Sequence, residues 1–351
     1  MPDDVWRSLH VHRLGGQDAF LTDALAPALA RLRAQGRVRR AFFLRYWEGG
    51  HHLRVRVRTE AADADAVAAV LVAEFARYLR EHPDELAFDL DEFRREAQPT
   101  MAALEGVAAG PTYPRDTVRA ATYTPEHDKY GGPAGVAVAE EFFDRSAALV
   151  LSALPRLAER PGRRLGMAFT MMLRGLCGAG LSPAQAAAFL GRYCLLWSPW
   201  VFDEFLGTWP GLLAARRDRV AAQAARVLAE LQPGDDAYGA AVGAALAAVA
   251  ADPVVLPAVT LAGPDADAAR RRQVLLVSYL HTHNNRLGLT PEQEAFLGFL
   301  GHHVLSEYAG TPPEPALLDS VRAHRAHRLG TLTPSPEHRR TVTVTGGPTW
   351  M

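Results

Sequence analysis

Histidine, asparagine and arginine crowd one short segment, Ser278-Tyr279-Leu280-His281-Thr282-His283-Asn284-Asn285-Arg286. On a helix, side chains three and four positions apart are neighbours, so Ser278, His281 and Asn285 fall on one face. A histidine there can act as a general acid or base near neutral pH, with polar neighbours to orient it. The alternative is a histidine paired inside a core, or near a helix C-terminus that favours its charge. Both asparagines of the chain lie in this segment.

A second cluster is Tyr123-Thr124-Pro125-Glu126-His127-Asp128-Lys129-Tyr130-Gly131-Gly132. Glu126, Lys129 and Tyr130 offer a carboxylate, an ammonium and a phenol for proton transfer or ion pairing, and the two glycines permit a sharp turn. The plainer reading is a solvated loop before a helix. Lys129 is the only lysine, and isoleucine is absent. Lys, Ile and Asn all need A/T-rich codons, so the surviving Lys129, Asn284 and Asn285 mark positions where substitution is least tolerated.

A third cluster is a strand pattern. Over His52 to Arg58, Leu53, Val55 and Val57 alternate with His52, Arg54, Arg56 and Arg58, which gives one apolar face and one cationic face. A row of guanidiniums can bind carboxylates or hold a peptide backbone through fixed donors. It can equally be a solvated face. Arg45 and Tyr46 on the paired strand are expected to add polar groups beside it.

These clusters need elements to position them. Trp6 to Leu14 reads as a strand and Asp18 to Gln35 as a helix ended by Gly36. Val38 to Trp47 and His52 to Arg58 read as a hairpin turned by Gly49 and Gly50. Asp65 to Arg80 returns to helix. Residues 1–132 are thus expected to form an α+β lobe with an antiparallel sheet packed with helices. From Gly135 onward helical periodicity dominates, which predicts a mostly helical second lobe over 133–310 and a C-terminal helix and tail over 311–351. The Tyr123 to Gly132 cluster sits at the expected junction. Thr290-Pro291-Glu292-Gln293 is a helix start, with Thr290 as cap and Gln293 reaching back. Thr341 to Thr345 alternates like a late strand.

With 48% hydrophobic residues in 351, a sizeable core is possible. A formal net charge of −1 gives no overall attraction for nucleic acid or anionic lipid. No window reaches the roughly 18 apolar residues of a membrane span, and the N-terminus lacks a signal-peptide pattern, so the expected location is cytoplasmic. Cys177 and Cys194 read as buried thiols. The histidine pairs lack zinc-site spacing, and there is no phosphate loop, dinucleotide fingerprint or nucleophile elbow. No metal or cofactor is implied.

Taken in order, FFLRYWEGGHHLRVRV (Phe42 to Val57), TYTPEHDKYGG (Thr122 to Gly132), AEEFFDRSAALVL (Ala139 to Leu151) and SYLHTHNNRLG (Ser278 to Gly288) resemble the C-terminal elimination domain of lantibiotic dehydratases. They also resemble the stand-alone thiopeptide enzymes built on that domain. The likeness runs from the first strand to about Tyr308. It implies one of two reactions on a ribosomally made, leader-bearing precursor peptide. Either a glutamyl ester on Ser or Thr is eliminated to a dehydroamino acid, or two dehydroalanines join in a formal [4+2] aza-cycloaddition that expels water and leader to leave a pyridine macrocycle.

The resemblance implies that His281 transfers protons, that Glu126 and Tyr130 line the site and that Arg54 and Arg56 hold the substrate; with the clusters above, the catalytic candidates are His281, Tyr130 and Glu126, and the substrate-binding candidates Arg45, His52, Arg54, Arg56, Tyr123, Lys129, Ser278, Asn285 and Arg286. Asn285 and Arg286 would orient His281. Where elimination domains have arginine before YGG, this chain has Lys129, and a bidentate fork is exchanged for a point charge. That departure favours the pyridine synthase over elimination; a non-catalytic peptide-binding module is the third reading. The resemblance also implies a homodimer and no nucleic-acid or membrane partner.

Overall fold

A computed structural model describes residues 4–87, 89–230 and 236–331. The expected strand at Thr341 to Thr345 lies outside them. Strand β1 (Asp4–His12) leads into a helical run comprising α1 (Gln17–Phe20), a π-helical turn (Leu21–Leu25) and α2 (Ala26–Ala34). The hairpin β2 (Arg40–Tyr46) and β3 (His52–Glu60) follows, then α3 (Ala64–Glu81). Two short helices, α4 (Leu90–Glu96) and α5 (Gln98–Glu105), and a short strand β4 (Thr117–Ala121) were not foreseen from periodicity. Their brevity explains that: five to eight residues hold too few repeats to distinguish a period.

The fold is α+β, as expected. The strands form one antiparallel sheet in the order β2-β3-β1-β4. Leu9, Val11, Phe43, Leu53, Val55 and Val57 are buried on one face, with Val67, Leu71 and Phe75 of α3 also buried. Each such side chain contributes roughly 1.5–3 kcal/mol on leaving water. The register places His12, His52 and Tyr46 in one row of the opposite face, and His10, Arg54 and Leu44 in the next.

The remaining helices are α6 (His127–Tyr130), α7 (Gly132–Glu159), α8 (Arg164–Gly178), α9 (Pro183–Trp197), α10 (Asp203–Glu230), α11 (Ala237–Ala251), α12 (Ala268–Leu287), α13 (Pro291–Tyr308) and α14 (Leu317–Thr331). The start of α13 is the expected one: Thr290 accepts from the Gln293 amide and the Gln293 side chain returns to the Thr290 amide. Helices α13 and α9 approach closely because Gly298 presents no side chain; a Cβ there would lie 2.9 Å from the Leu190 carbonyl oxygen. Among the described residues, no helix is long and apolar enough to cross a membrane.

Contacts divide the described residues into two compact units, one lying within residues 4–125 and 147–161, the other within residues 126–146 and 162–331. This division falls between Pro125 and Glu126, inside the Tyr123 to Gly132 cluster rather than at its end. The cluster therefore supplies Tyr123 to the first unit and Glu126, Lys129 and Tyr130 to the second.

Gly131 is where that cluster turns. Its φ is 88°, a left-handed conformation, and a Cβ would sit 2.3 Å from the Val255 carbonyl oxygen. Gly131→Ala combines that backbone penalty with a clash against main chain, so it should lower unfolding free energy by about 2 kcal/mol or more. Urea denaturation of the variant beside the parent measures the difference.

Candidate active site

In the second unit, α12 ends at Gly288 and α13 starts at Pro291, so the two helices are joined by a tight turn. That turn brings Glu294, in the first turn of α13, against His281 of α12. The Glu294 side chain is fully buried and takes three donors: His281 Nδ1 at 2.8 Å, Asn284 Nδ2 at 3.1 Å and the hydroxyl of Tyr193 from α9. One helical turn beyond Tyr193, the Trp197 ring stacks on His281, with ring centroids 4.2 Å apart.

The His281 side chain keeps a quarter of its surface exposed. With Nδ1 donating to Glu294, its tautomer is fixed and Nε2 is the ring atom left for a substrate proton. Burial, and then the charge of Glu294, push the Tyr193 hydroxyl well above the usual phenol range, so it stays a donor. The arrangement is a held imidazole with one working nitrogen, suited to general acid–base transfer.

Three neighbours expected to serve this site are placed otherwise. Asn284, not Asn285, reaches the carboxylate that holds His281; Asn285 is half-buried. Ser278 is buried and donates to the Val274 carbonyl oxygen one turn back in its own helix. Arg286 is fully buried: its Nη1 donates to Ser146 Oγ at 3.2 Å and to the Thr282 carbonyl oxygen at 3.1 Å, and its guanidinium lies 4.8 Å from the Phe143 ring centroid. It belongs to a core network with His283, whose Nδ1 lies 2.8 Å from the same Ser146 hydroxyl. Burial, then Arg286, lower the His283 pKa to about 3, leaving a neutral ring stacked near Tyr238.

Tyr130 is 3% exposed, with its ring against Phe143 and Tyr279. Glu126 and Lys129 meet each other, Nζ to Oε1 at 3.4 Å, with Glu126 exposed and Lys129 half-buried, and an ion pair with one partner so open to solvent adds little stability.

In the first unit, His52, Arg54 and Arg56 share the polar sheet face with His10, His12 and Arg119. The His52 ring lies 4.6 Å from His10 and 4.8 Å from His12. Arg54 is held three ways: Nη2 to Glu48 at 2.9 Å, Nε to His52 Nε2 at 3.2 Å, and its guanidinium 3.5 Å above the Tyr46 ring. Arg56 lies 4.3 Å from the Tyr123 ring and Arg119 3.9 Å from Tyr113. Burial first, and neighbouring positive charge, lower the pKa values of His52 to about 2, His10 to about 3 and His12 to about 4. These imidazoles are neutral; the cations of the face are its arginines.

Arg45 does not join them. It registers with Leu53, on the helix-covered face, and its guanidinium reaches Asp18 at 2.6 Å and Gln17 at 3.2 Å. Its position is odd in a strand whose polar side is even, so it anchors β2 to α1. Among the described residues, no group of three His, Cys, Asp or Glu side chains is arranged to hold a metal ion.

Glu294, Tyr193, Trp197 and Asn284 were not singled out by their spacing, nor were His10 and Arg119 as members of the cationic face. Glu294 reads in sequence as an acidic residue favouring a helix N-terminus. The one available signal was a carboxylate immediately before the apolar run Ala295 to Leu300.

The family model for lantibiotic biosynthesis dehydratase C-terminal domains matches residues 6–305. A solved structure titled as the pyridine synthase TbtD from thiomuracin biosynthesis superposes with a TM-score of 0.70 over 87% of this chain and 99% of that one, at 22% identity. A second, TsrL, gives 0.60 over 91% and 99%, at 18% identity. At these identities the likeness establishes a shared fold. No curated protein matches the chain.

Removing the buried carboxylate strands its donors. Glu294→Ala should cost about 3 kcal/mol, whereas Tyr193→Phe, which removes one donor and leaves the acceptor two, should cost about 1 kcal/mol. Chemical denaturation of both variants gives the comparison.

The sheet-face histidines predict acid sensitivity. Their folded pKa values are depressed from 6.5, so below about pH 6.5 the unfolded chain binds protons that the folded face refuses. Stability is full above that pH and falls as pH drops towards the folded values. The urea midpoint should decline from about pH 7 to about pH 5, and His12→Asn with His52→Gln should flatten the decline.

Proposed function

We propose, starting from a chain that belongs to the family of lantibiotic biosynthesis dehydratase C-terminal domains, that it catalyses the formal [4+2] aza-cycloaddition of two dehydroalanines in a leader-bearing ribosomal peptide. The observation that carries this reading is the held His281, with Nδ1 on a buried carboxylate and Nε2 left to work. The reaction asks for proton transfer on a peptide. One dehydroalanine amide must pass its N–H proton to its oxygen to become the four-atom azadiene. Two C–C bonds then form with the second dehydroalanine, the former amide oxygen leaves as water, and the leader leaves as a carboxamide as the ring aromatises. His281 Nε2 would move the proton in the first step and protonate the departing hydroxyl, and the arginines of the sheet face would hold peptide carbonyls.

Two observations favour cycloaddition over glutamate elimination. The structure titled as a pyridine synthase is matched along 99% of its length. Lys129 stands where elimination domains have arginine, and its ammonium is paired with Glu126.

Mass spectrometry of a purified precursor carrying two dehydroalanines is the test. The expected products are a pyridine macrocycle and free leader carboxamide. Consumption of only glutamylated precursor, with loss of glutamate and no ring, would assign elimination instead. His281→Ala should lower kcat by about 10²–10⁴-fold, the usual yield of one general acid–base group. Glu294→Gln should act through His281 and cost about 10–100-fold. Leader binding without turnover, indifferent to His281→Ala, would leave a peptide-binding module.

A further inference from the structure

The sheet has an open place in its interior edge. Main-chain groups of successive strand residues point to alternate sides. The Arg39 amide donates to the Arg58 carbonyl oxygen, so even-numbered groups of β3 face β2 and odd-numbered ones face β1. By the β1–β3 register, odd residues of β1 such as Arg7 and Leu9 are the ones bonded to β3. Even residues of β1 therefore face β4, and the Asp116 amide indeed donates to the His12 carbonyl oxygen. The β1–β4 ladder stops at Ser8↔Ala121. The next outward-facing groups, the N–H and C=O of Trp6, meet no strand among the described residues.

They meet a cavity of about 540 Å³ instead, lined by Trp6, Ser8, Ala68 of α3, Ala120, Tyr123 and Pro125, all within the first unit. Ser8 is 4% exposed, and its hydroxyl has no hydrogen-bond partner among the described residues. The Trp6 and Tyr123 rings meet edge to face at one side of the cavity, with centroids 5.7 Å apart. Positive charge borders the same side. Arg56 lies over the Tyr123 ring; Arg58 and Arg40 lie in the cross-strand row of Trp6, on the other side of β1 from the gap. The nearby carboxylate of Asp4 is turned to Arg39 and Arg58.

We infer that this gap is a strand-addition site for an extended, acidic segment of the peptide substrate. An added strand would exchange main-chain hydrogen bonds with Trp6, continue the ladder β4 abandons, and place every second side chain on the face that carries Arg56, with Arg58 beyond Trp6. Main-chain pairing supplies affinity for any extended peptide, and the arginines select carboxylates. The inference rests on the peptide-substrate reading above, but concerns docking rather than chemistry, so each can fail alone.

Residue-resolved amide hydrogen exchange on the full chain, with and without saturating leader-bearing precursor, decides it. In the free protein the Trp6 amide should exchange fast and the Arg7 amide, bonded to β3, slowly. Precursor should slow Trp6 by about tenfold or more and leave Arg7 unchanged. Ala68→Trp, which fills the cavity from a partly exposed helix position, should raise KM by about tenfold with kcat within about twofold. Unchanged Trp6 exchange with turnover intact would overturn the docking site and leave the function standing. Protection of Trp6 without peptide, or protection that grows with protein concentration, would assign the edge to the chain itself or to a second copy, and would also overturn it.

Discussion

A carboxylate removed from water must have its lone pairs filled, and in the helical unit that constraint falls on Glu294. Taking such a group out of solvent costs several kcal/mol unless donors replace the lost hydration. The donors come from Tyr193 on α9 and from Asn284 and His281 on α12, while the acceptor belongs to α13. Three helices are thus fixed to one another at a point where any slip would leave a buried donor unpaired. Much of the local architecture serves that fit. The capping box at Thr290 and Gln293 fixes where α13 begins, and Gly298 lets α13 lie against α9 closely enough for Tyr193 to reach.

The same constraint holds the His281 ring. His281 could rotate or change tautomer if its ring were free, but Nδ1 is bound and Trp197 covers one face of the ring. What remains is a single nitrogen in a fixed direction at a partly exposed position. Histidines elsewhere are handled oppositely. His10, His12, His52 and His283 are kept neutral by burial and by nearby positive charge, so they serve as packing groups rather than charges, His52 and His283 also making hydrogen bonds.

The sheet face illustrates how cations are kept in place, in the case of Arg54 with an ion pair to Glu48 as well as a ring beneath it. Arg54, Arg56 and Arg119 each lie over an aromatic ring, of Tyr46, Tyr123 and Tyr113. A cation held over a ring has its position fixed by the attraction of the π face, which suits a surface built to meet carbonyls or carboxylates. Strand β4 contributes Arg119 to this face and, by ending at Ala121, leaves the edge of β1 open beside it.

The alternation of β3, the caps of α13 and the four motifs were legible because each is a local pattern, and local periodicity determines which face of its own element a residue occupies. It was enough to identify His52, Arg54 and Arg56 as one face and to single out His281. It misassigned Arg45, whose strand parity carries it to the helix-covered side, and it placed Ser278 at a site, as the resemblance did Arg286, although both are core residues. It also chose Asn285, four residues from His281 and on its face, whereas Asn284 is the one that reaches Glu294. Which neighbouring helix a face meets is a property of packing, not spacing. Glu294 is 13 residues from His281 and 101 from Tyr193, so only the tertiary structure could bring a carboxylate that reads as an N-terminal helix residue, and a tyrosine from another helix, onto the histidine that the sequence had marked.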